Sequence, residues 1–266
     1  MTKALLTLNA GSSSLKFRLF GLTRDLPFLV GGKISDIGGA AVFQAHWQET
    51  SRDESHALPA HSNADDALAY LLNWLESQST AWQIVPCAHR IVHGGPDLDG
   101  AAELDVRLMA YLRALSPLAP LHQPHNLAAV DALKALHPDL RQFGCFDTAF
   151  HAHHEPLVTA FALPARIREQ GVRRYGFHGL SYSWIARRLG EAYPGLAKGR
   201  VVAAHLGNGA SLCALKAGQS VDTTMGLTAL DGLPMGTPVR RARPGSRPVH
   251  AGWARIDLGR RPTHAL

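Results

Sequence analysis

Cysteine is scarce. Only Cys87, Cys145 and Cys213 occur in 266 residues, far apart and with no C-x-x-C pair. That excludes a disulfide framework and a thiolate zinc site, and it fits a reducing compartment. Long apolar runs are absent too. The opening "MTKALLTLNAGSS" reaches a polar Gly/Ser turn after five or six apolar-leaning residues, too few for a signal-peptide core, so a soluble cytoplasmic protein without membrane contact is expected. A net positive charge is missing from most of the chain. Residues 238–266 hold seven Arg, no Lys and a single acid, Asp257, which accounts for the whole formal charge of +6 and leaves 1–237 neutral. A basic nucleic-acid surface spread over the fold is thereby excluded. Neither G-x-x-x-x-G-K-[ST] nor G-x-G-x-x-G occurs, so a P-loop or Rossmann nucleotide site is not indicated.

An apolar fraction of 46% suits a folded chain with a substantial core. "ALLTL" (4–8), "KFRLFGL" (16–22), "FLVGGKI" (28–34) and "AVFQAHW" (41–47) read as strands of an antiparallel meander. The spacing of Leu68, Leu71, Leu72 and Leu75 predicts a helix over 62–78, with Ser62 as its N-cap and acids in its first turn. A strand entering a glycine loop (84–95), helices around 106–116 and 126–137, and a strand-like 143–150 follow. Strands first and alternating elements afterwards predict an α/β fold. "LTLNAGSSSLKF" and "AAHLGNGASLCAL" share a strand–Gly-turn–strand pattern, a hint of duplication.

Gly/Ser/Asn turns between strands converge backbone N–H groups, hydroxyls and amides on one point, as a polyphosphate requires. A tight hairpin that needs glycine is the alternative. Lys16 would set a cation beside the first turn, or be merely solvated. Arg90, inside an apolar strand pattern, must be paired or face a ligand, because unpaired buried charge is costly. Its planar guanidinium suits a carboxylate or a phosphoryl oxygen. Asp147 ends a strand, a common place for a ligand-handling residue in α/β folds, or else is a turn residue. His178, in "RYGFHGLSY", could donate to developing negative charge or simply pack. "HAHHE" (151–155) has metal-like composition without metal-ligand spacing and reads as a polar loop.

Together these stretches resemble the acetate kinase family. "LNAGSSSLKF" (8–17), "HRIVHGG", "PLHQPHN", "FDTAFH", "RRYGFHGLSYSWIARRL" (173–189), "HLGNGAS" and "MGLTALDGLPMGT" stand in the family's order over residues 3 to 237. The resemblance implies an actin-like, sugar-kinase-like ATPase fold with a duplicated domain, divided here as 1–148 and 149–237, the second incomplete. It implies ATP-dependent phosphorylation of acetate to acetyl phosphate, with Mg2+ (or Mn2+) and a homodimeric enzyme. By the same resemblance Asn9 lies near the metal, and Lys16 and Ser12 near the ATP phosphates. Arg90 holds the acetate carboxylate, with Val92 and Leu121 at the methyl pocket and His122 as a further active-site histidine. Asp147 is the catalytic aspartate and His178 contacts the transferring phosphoryl group. His205, Leu206, Gly207, Asn208 and Gly209 match the second phosphate-binding loop.

The family pattern departs after "LPMGT". An arginine follows there in the family, whereas Pro238 stands here, with Arg240 and Arg241 displaced along the chain. The expectation is a truncated kinase, impaired in activity, whose residues 238–266 are an out-of-frame reading of GC-rich DNA. Propionate as substrate, a sugar kinase or non-catalytic nucleotide-binding relative, and a nucleic-acid-binding tail are the competing readings.

Overall fold

A computed structural model describes residues 1–48, 52–78 and 82–235. The expected break between Thr237 and Pro238, and the segment 238–266, lie outside the described residues. The described chain groups into two compact units. The first comprises Met1–Ile91, Ala101–Met109 and Pro120–Cys145; the second comprises Val92–Gly100, Ala110–Ala119 and the chain from Phe146 onward. These groupings interleave in sequence, unlike the continuous division at 148, which stays a proposal.

In the first unit, β1 (Thr2–Ala10), β2 (Ser14–Gly21), β3 (Phe28–Ser35), β4 (Val42–Trp47) and β5 (Asp53–Ala57) form the expected antiparallel meander. β6 (Trp82–Ile91), β7 (Ala102–Glu103) and β8 (Arg141–Phe146) complete an eight-stranded sheet of order β5-β4-β3-β2-β1-β6-β8-β7. β6 joins β1 in parallel. Two-residue periodicity sets the faces: Leu15, Phe17 and Leu19 are buried along β2 while Lys16 and Arg18 are exposed.

Helices α1 (Ala64–Ser77) and α3 (Gln123–Leu136) pack on this sheet; α2 (Val106–Ala114) lies between them in sequence, its first turn capped by Asp105 Oδ1 accepting from the Leu108 N–H at 2.7 Å. α1 buries Leu68, Leu71, Leu72 and Leu75, each worth about 1.5–3 kcal/mol. It also brings Trp74 onto Phe43, ring centroids 4.9 Å apart. Its cap corrects the expectation at Ser62. Asn63 Oδ1 accepts from the N–H groups of Asp65 and Asp66, and Asp66 accepts from the Asn63 N–H in return, a reciprocal capping box. The Ser62 hydroxyl donates to Pro59 O instead.

The second unit contains the single-turn helices α4 (Pro156–Thr159) and α5 (Ala165–Arg168), then α6 (Gly179–Ala192) and the short α7 (Pro194–Ala197). Strands β9 (Arg200–Leu206), β10 (Ala210–Lys216) and β11 (Gln219–Thr223) form an antiparallel sheet of order β11-β10-β9. Each unit thus holds a hairpin with a three-residue turn, 11–13 or 207–209, continued by a third antiparallel strand. The duplication hinted at by the two turns is repeated in the strand connectivity. β9 is an edge strand, and Val202 and Leu206 on one of its faces are 70% and 76% exposed. Among the described residues no helix is long and apolar enough to cross a membrane.

"HAHHE" is not simply a polar loop. His151 is 1% exposed; its Nε2–H donates to Phe177 O at 3.0 Å and its Nδ1 accepts from the Ser220 hydroxyl at 2.8 Å. Hydrophilic composition misled because the ring's two nitrogens are both satisfied inside the fold. His89 is similar, bonded to Gln142 Oε1 at 2.7 Å, and His93 is wholly buried against the Tyr175 ring. Burial holds His89 and His151 at a pKa of about 4 and His93 at about 3. An unfolded chain would protonate all three near pH 6.5, so between pH 6.5 and 4 it binds more protons than the folded one. Stability is therefore full above pH 6.5 and falls as pH drops, each histidine removing on the order of 1–2 kcal/mol by pH 5. Thermal unfolding is expected to show the midpoint falling steeply from pH 6.5 to 5; a flat midpoint over that range would contradict the burial of these rings.

Candidate functional site

The first unit places Asn9 and Arg90 side by side. β1 and β6 run parallel with Leu8 opposite His89, so the next residues on both strands, Asn9 and Arg90, emerge together near the strand ends. Arg90 Nη1 donates to Asn9 Oδ1 at 3.3 Å. α3 anchors the same strand end, Asn126 Nδ2 donating to Ala10 O at 2.6 Å. The following turn closes through Gly11 N–H to Ser14 O at 2.8 Å, leaving Ser12 and Lys16 exposed. His122 stands at the N-cap of α3, and Leu121 before it is 63% exposed.

The second unit holds Val92 and Asp147, 4% and 2% exposed. Asp147 directly follows β8, and the Thr148 hydroxyl beside it accepts from the Gly94 N–H at 3.0 Å. His178 takes the left-handed conformation (φ 60°, ψ 19°) at the N-cap of α6, a costly one for a residue with a Cβ. The next residue ties it to the aspartate: the Gly179 N–H donates to Asp147 O at 2.8 Å. A Cβ at Gly179 would sit 2.2 Å from that oxygen, so only glycine allows the approach.

His178 Nδ1 bonds Ser211 Oγ at 2.8 Å, and its ring stacks on His205 at 4.0 Å between centroids. Its Nε2 faces the second turn, since a Cβ built on Gly209 would meet that nitrogen at 3.0 Å. Gly207 N–H to Gly209 O at 3.1 Å closes this turn, and Leu206, Gly207 and Asn208 are exposed. The His205 ring is held by Ser181 Oγ at 2.9 Å.

Two sets of sequence-selected residues are therefore assembled: Asn9 with Arg90, and Asp147 with His178, His205 and Gly209. Sequence reasoning missed Gly179, Ser211, Tyr182 and His151. The serine and tyrosine carry no pattern of their own, and only strand pairing of β9 with β10 and the packing of α6 bring them to His178. Chemically the groups offer a fixed guanidinium, a buried carboxylate, an imidazole and two hairpin turns.

Comparison with known proteins finds this chain's relatives. The Acetokinase family profile matches residues 4–245, running past Thr237. The acetate kinase of Rhodopseudomonas palustris is 48% identical over 250 residues, covering 92% of this chain and 63% of that protein. That of Methylocella silvestris is 44% identical over 263 residues, covering 92% and 63%. Among solved structures, a propionate kinase from Francisella tularensis superposes with a TM-score of 0.81 at 32% identity, covering 88% of this chain and 60% of that one. Porphyromonas gingivalis acetate kinase gives 0.77 at 33% identity, covering 91% and 62%. The chain spans a little over three fifths of its relatives' length, and within that span its α/β architecture is that of the actin-like ATPase fold of these kinases. By its motifs, its fold and these matches, the chain belongs to the acetokinase family.

Proposed function

We propose that the chain carries phosphoryl-transfer groups of a kinase that moves the γ-phosphoryl group of ATP reversibly to acetate, giving acetyl phosphate and ADP. The observation that carries this reading is the Gly179 N–H bond that ties the main chain of buried Asp147 to the left-handed His178, whose Nε2 faces the Gly207–Gly209 turn.

Arg90 receives the acetate carboxylate, and Val92 and Leu121 limit the space for its methyl group. A carboxylate oxygen forms the new bond to the γ-phosphorus as the bond to the β–γ bridging oxygen breaks, and ADP leaves with that electron pair. Acetate, a carboxylic acid like the side chains with pKa about 4, is already ionised at neutral pH. No proton need be removed, so Asp147 orients the nucleophile or a water. His178 donates to the equatorial oxygens, and loss of one such donor costs about 3 kcal/mol of barrier, roughly a hundredfold in rate. Ser12, Lys16 and residues His205 to Gly209 hold the phosphates, and His122 faces the substrate.

The donor fits Mg2+ or Mn2+: Asn9 offers an amide oxygen, a hard ligand. Asn9 would hold the ion with the phosphates. When bound, the ion neutralises charge on the phosphoryl oxygens. A cytoplasmic homodimer is part of the same reading.

Acetyl phosphate formation tests it, measured on the 266-residue chain and on a chimera that continues from Thr237 with the corresponding segment of the R. palustris acetate kinase. The chimera is expected to form acetyl phosphate, and Asp147→Asn in it to lose nearly all activity. A folded, ATP-binding chimera that phosphorylates no short carboxylate would end the proposal. Propionate is the second reading, favoured by the Francisella structure; one methylene is worth about 1–3 kcal/mol in an apolar pocket, so the ratio of kcat/KM values separates the two.

A further inference from the structure

His178 is the first member of a buried hydrogen-bond chain. Its Nδ1 lies 2.8 Å from Ser211 Oγ, and Ser211 Oγ lies 2.6 Å from the Tyr182 hydroxyl. Ser211 and Tyr182 are both 0% exposed. With Ser211 and Tyr182 closed off from solvent, each of their hydrogens needs an acceptor inside the protein.

The direction of the chain follows from counting protons. The phenol has one hydrogen, and among the described residues its side-chain partner is Ser211 Oγ. The phenol therefore donates to Ser211 Oγ. Ser211 has one hydrogen of its own, and the acceptor in reach is His178 Nδ1. In the reverse arrangement, Nδ1–H to Ser211 and Ser211 to Tyr182, the phenol hydrogen is buried with no hydrogen-bond acceptor among the described residues, at a cost of about 1–3 kcal/mol. That difference selects one arrangement by about tenfold or more.

We infer that Ser211, whose oxygen accepts from the Tyr182 phenol, is a positioning residue that holds neutral His178 as the Nε2–H tautomer, so that the ring presents an N–H donor rather than a lone pair to the Gly207–Gly209 turn. The catalytic meaning of this polarity rests on the assignment of His178 to the transferring phosphoryl group; the tautomer itself does not. A donor at Nε2 attracts phosphoryl oxygens, whereas a bare nitrogen there would repel them. The stack of His178 on His205, with His205 held by Ser181, keeps the ring from rotating to exchange its two nitrogens.

The test is nitrogen-detected NMR of the 266-residue chain carrying 15N-labelled histidine, at a pH where His178 is neutral, with its signals identified by their loss in His178→Gln. The expected wild-type pattern is a protonated Nε2 and an unprotonated Nδ1. In Tyr182→Phe the Ser211 hydrogen still has His178 Nδ1 as its acceptor, so the Nε2–H pattern should persist. Ser211→Ala removes the donor to Nδ1, and both ring nitrogens should shift toward the averaged values of a tautomer mixture. A wild-type Nδ1–H tautomer overturns the inference without any variant, and an unshifted Nε2–H pattern in a folded Ser211→Ala protein overturns the role of Ser211. If the tautomers behave as expected while His178→Gln leaves acetyl phosphate formation in the chimera unchanged, the hydrogen-bond chain stands and the catalytic reading of His178 falls.

Discussion

Gly179→Ala is expected to be among the most damaging single-methyl additions in the second unit, lowering stability by about 3 kcal/mol or more and phosphoryl transfer by at least a hundredfold. The added Cβ would stand 2.2 Å from Asp147 O and 3.0 Å from the Phe150 Cβ. A flexible side chain could turn away from such a contact, but the oxygen belongs to the backbone that carries the aspartate. Either that backbone retreats or the start of α6 lifts, and both movements break the Gly179 N–H to Asp147 O bond. Overpacking of ordinary core sites costs about 1–3 kcal/mol. Here a hydrogen bond is lost as well, about 1 kcal/mol more. The effect on rate follows because displacements near 1 Å at reacting groups cost about a hundredfold.

Gly190→Ala supplies the control. It lies in the same helix with nothing within 4 Å of its added Cβ, so it is expected to stabilise by about 0.5–1 kcal/mol. Denaturant unfolding of the two variants beside wild type separates backbone collision from helix propensity. Equal stability of Gly179→Ala and Gly190→Ala would show that the close approach does not exist in solution.

The second large effect is expected at Arg90. In the chimera, Arg90→Ala should raise KM for acetate by about 30-fold to several thousand-fold, the equivalent of the roughly 2–5 kcal/mol lost when one partner of a buried charge pair is removed. Arg90→Lys should recover only a small part of this, because a single ammonium cannot make the two parallel bonds that a guanidinium makes to a carboxylate. The guanidinium also holds Asn9, so some loss of kcat is expected from a displaced Asn9 amide. Asn9→Ala tells the two apart: it should lower kcat and weaken the response to Mg2+ while leaving KM for acetate near its original value. A KM for acetate unchanged in Arg90→Ala would place the carboxylate elsewhere.

The family was legible in the sequence although each Gly/Ser/Asn turn by itself could have been an ordinary hairpin. Two such turns between apolar strands stood among seven motifs, and the order of the seven distinguished one family from chance. Arg90 could be selected because a charge inside an apolar pattern demands a partner or a ligand, and Asp147 because it ends a strand of an α/β fold. Other features were hidden. The helix start was misassigned by one residue at Ser62 because either polar neighbour could cap; the reciprocal bond with Asp66 decided for Asn63. His151 read as hydrophilic because its acceptor, Phe177 O, and its donor, the Ser220 hydroxyl, lie far away in sequence.

By itself the sequence determined which chemical groups are available, the two-residue and helical periodicities that bury one face of each element, and the family to which the chain belongs. Those properties are local or compositional, and they survive without coordinates. Tertiary structure alone decided the neighbours. The parallel register of β1 and β6 brings Arg90 to Asn9, the approach permitted by Gly179 joins Asp147 to His178, and the pairing of β9 with β10 under α6 sets Ser211 and Tyr182 behind the imidazole. Hydrogen-bond direction, and with it the nitrogen of His178 that carries the proton, depends on such neighbours. No residue's type or spacing encodes it.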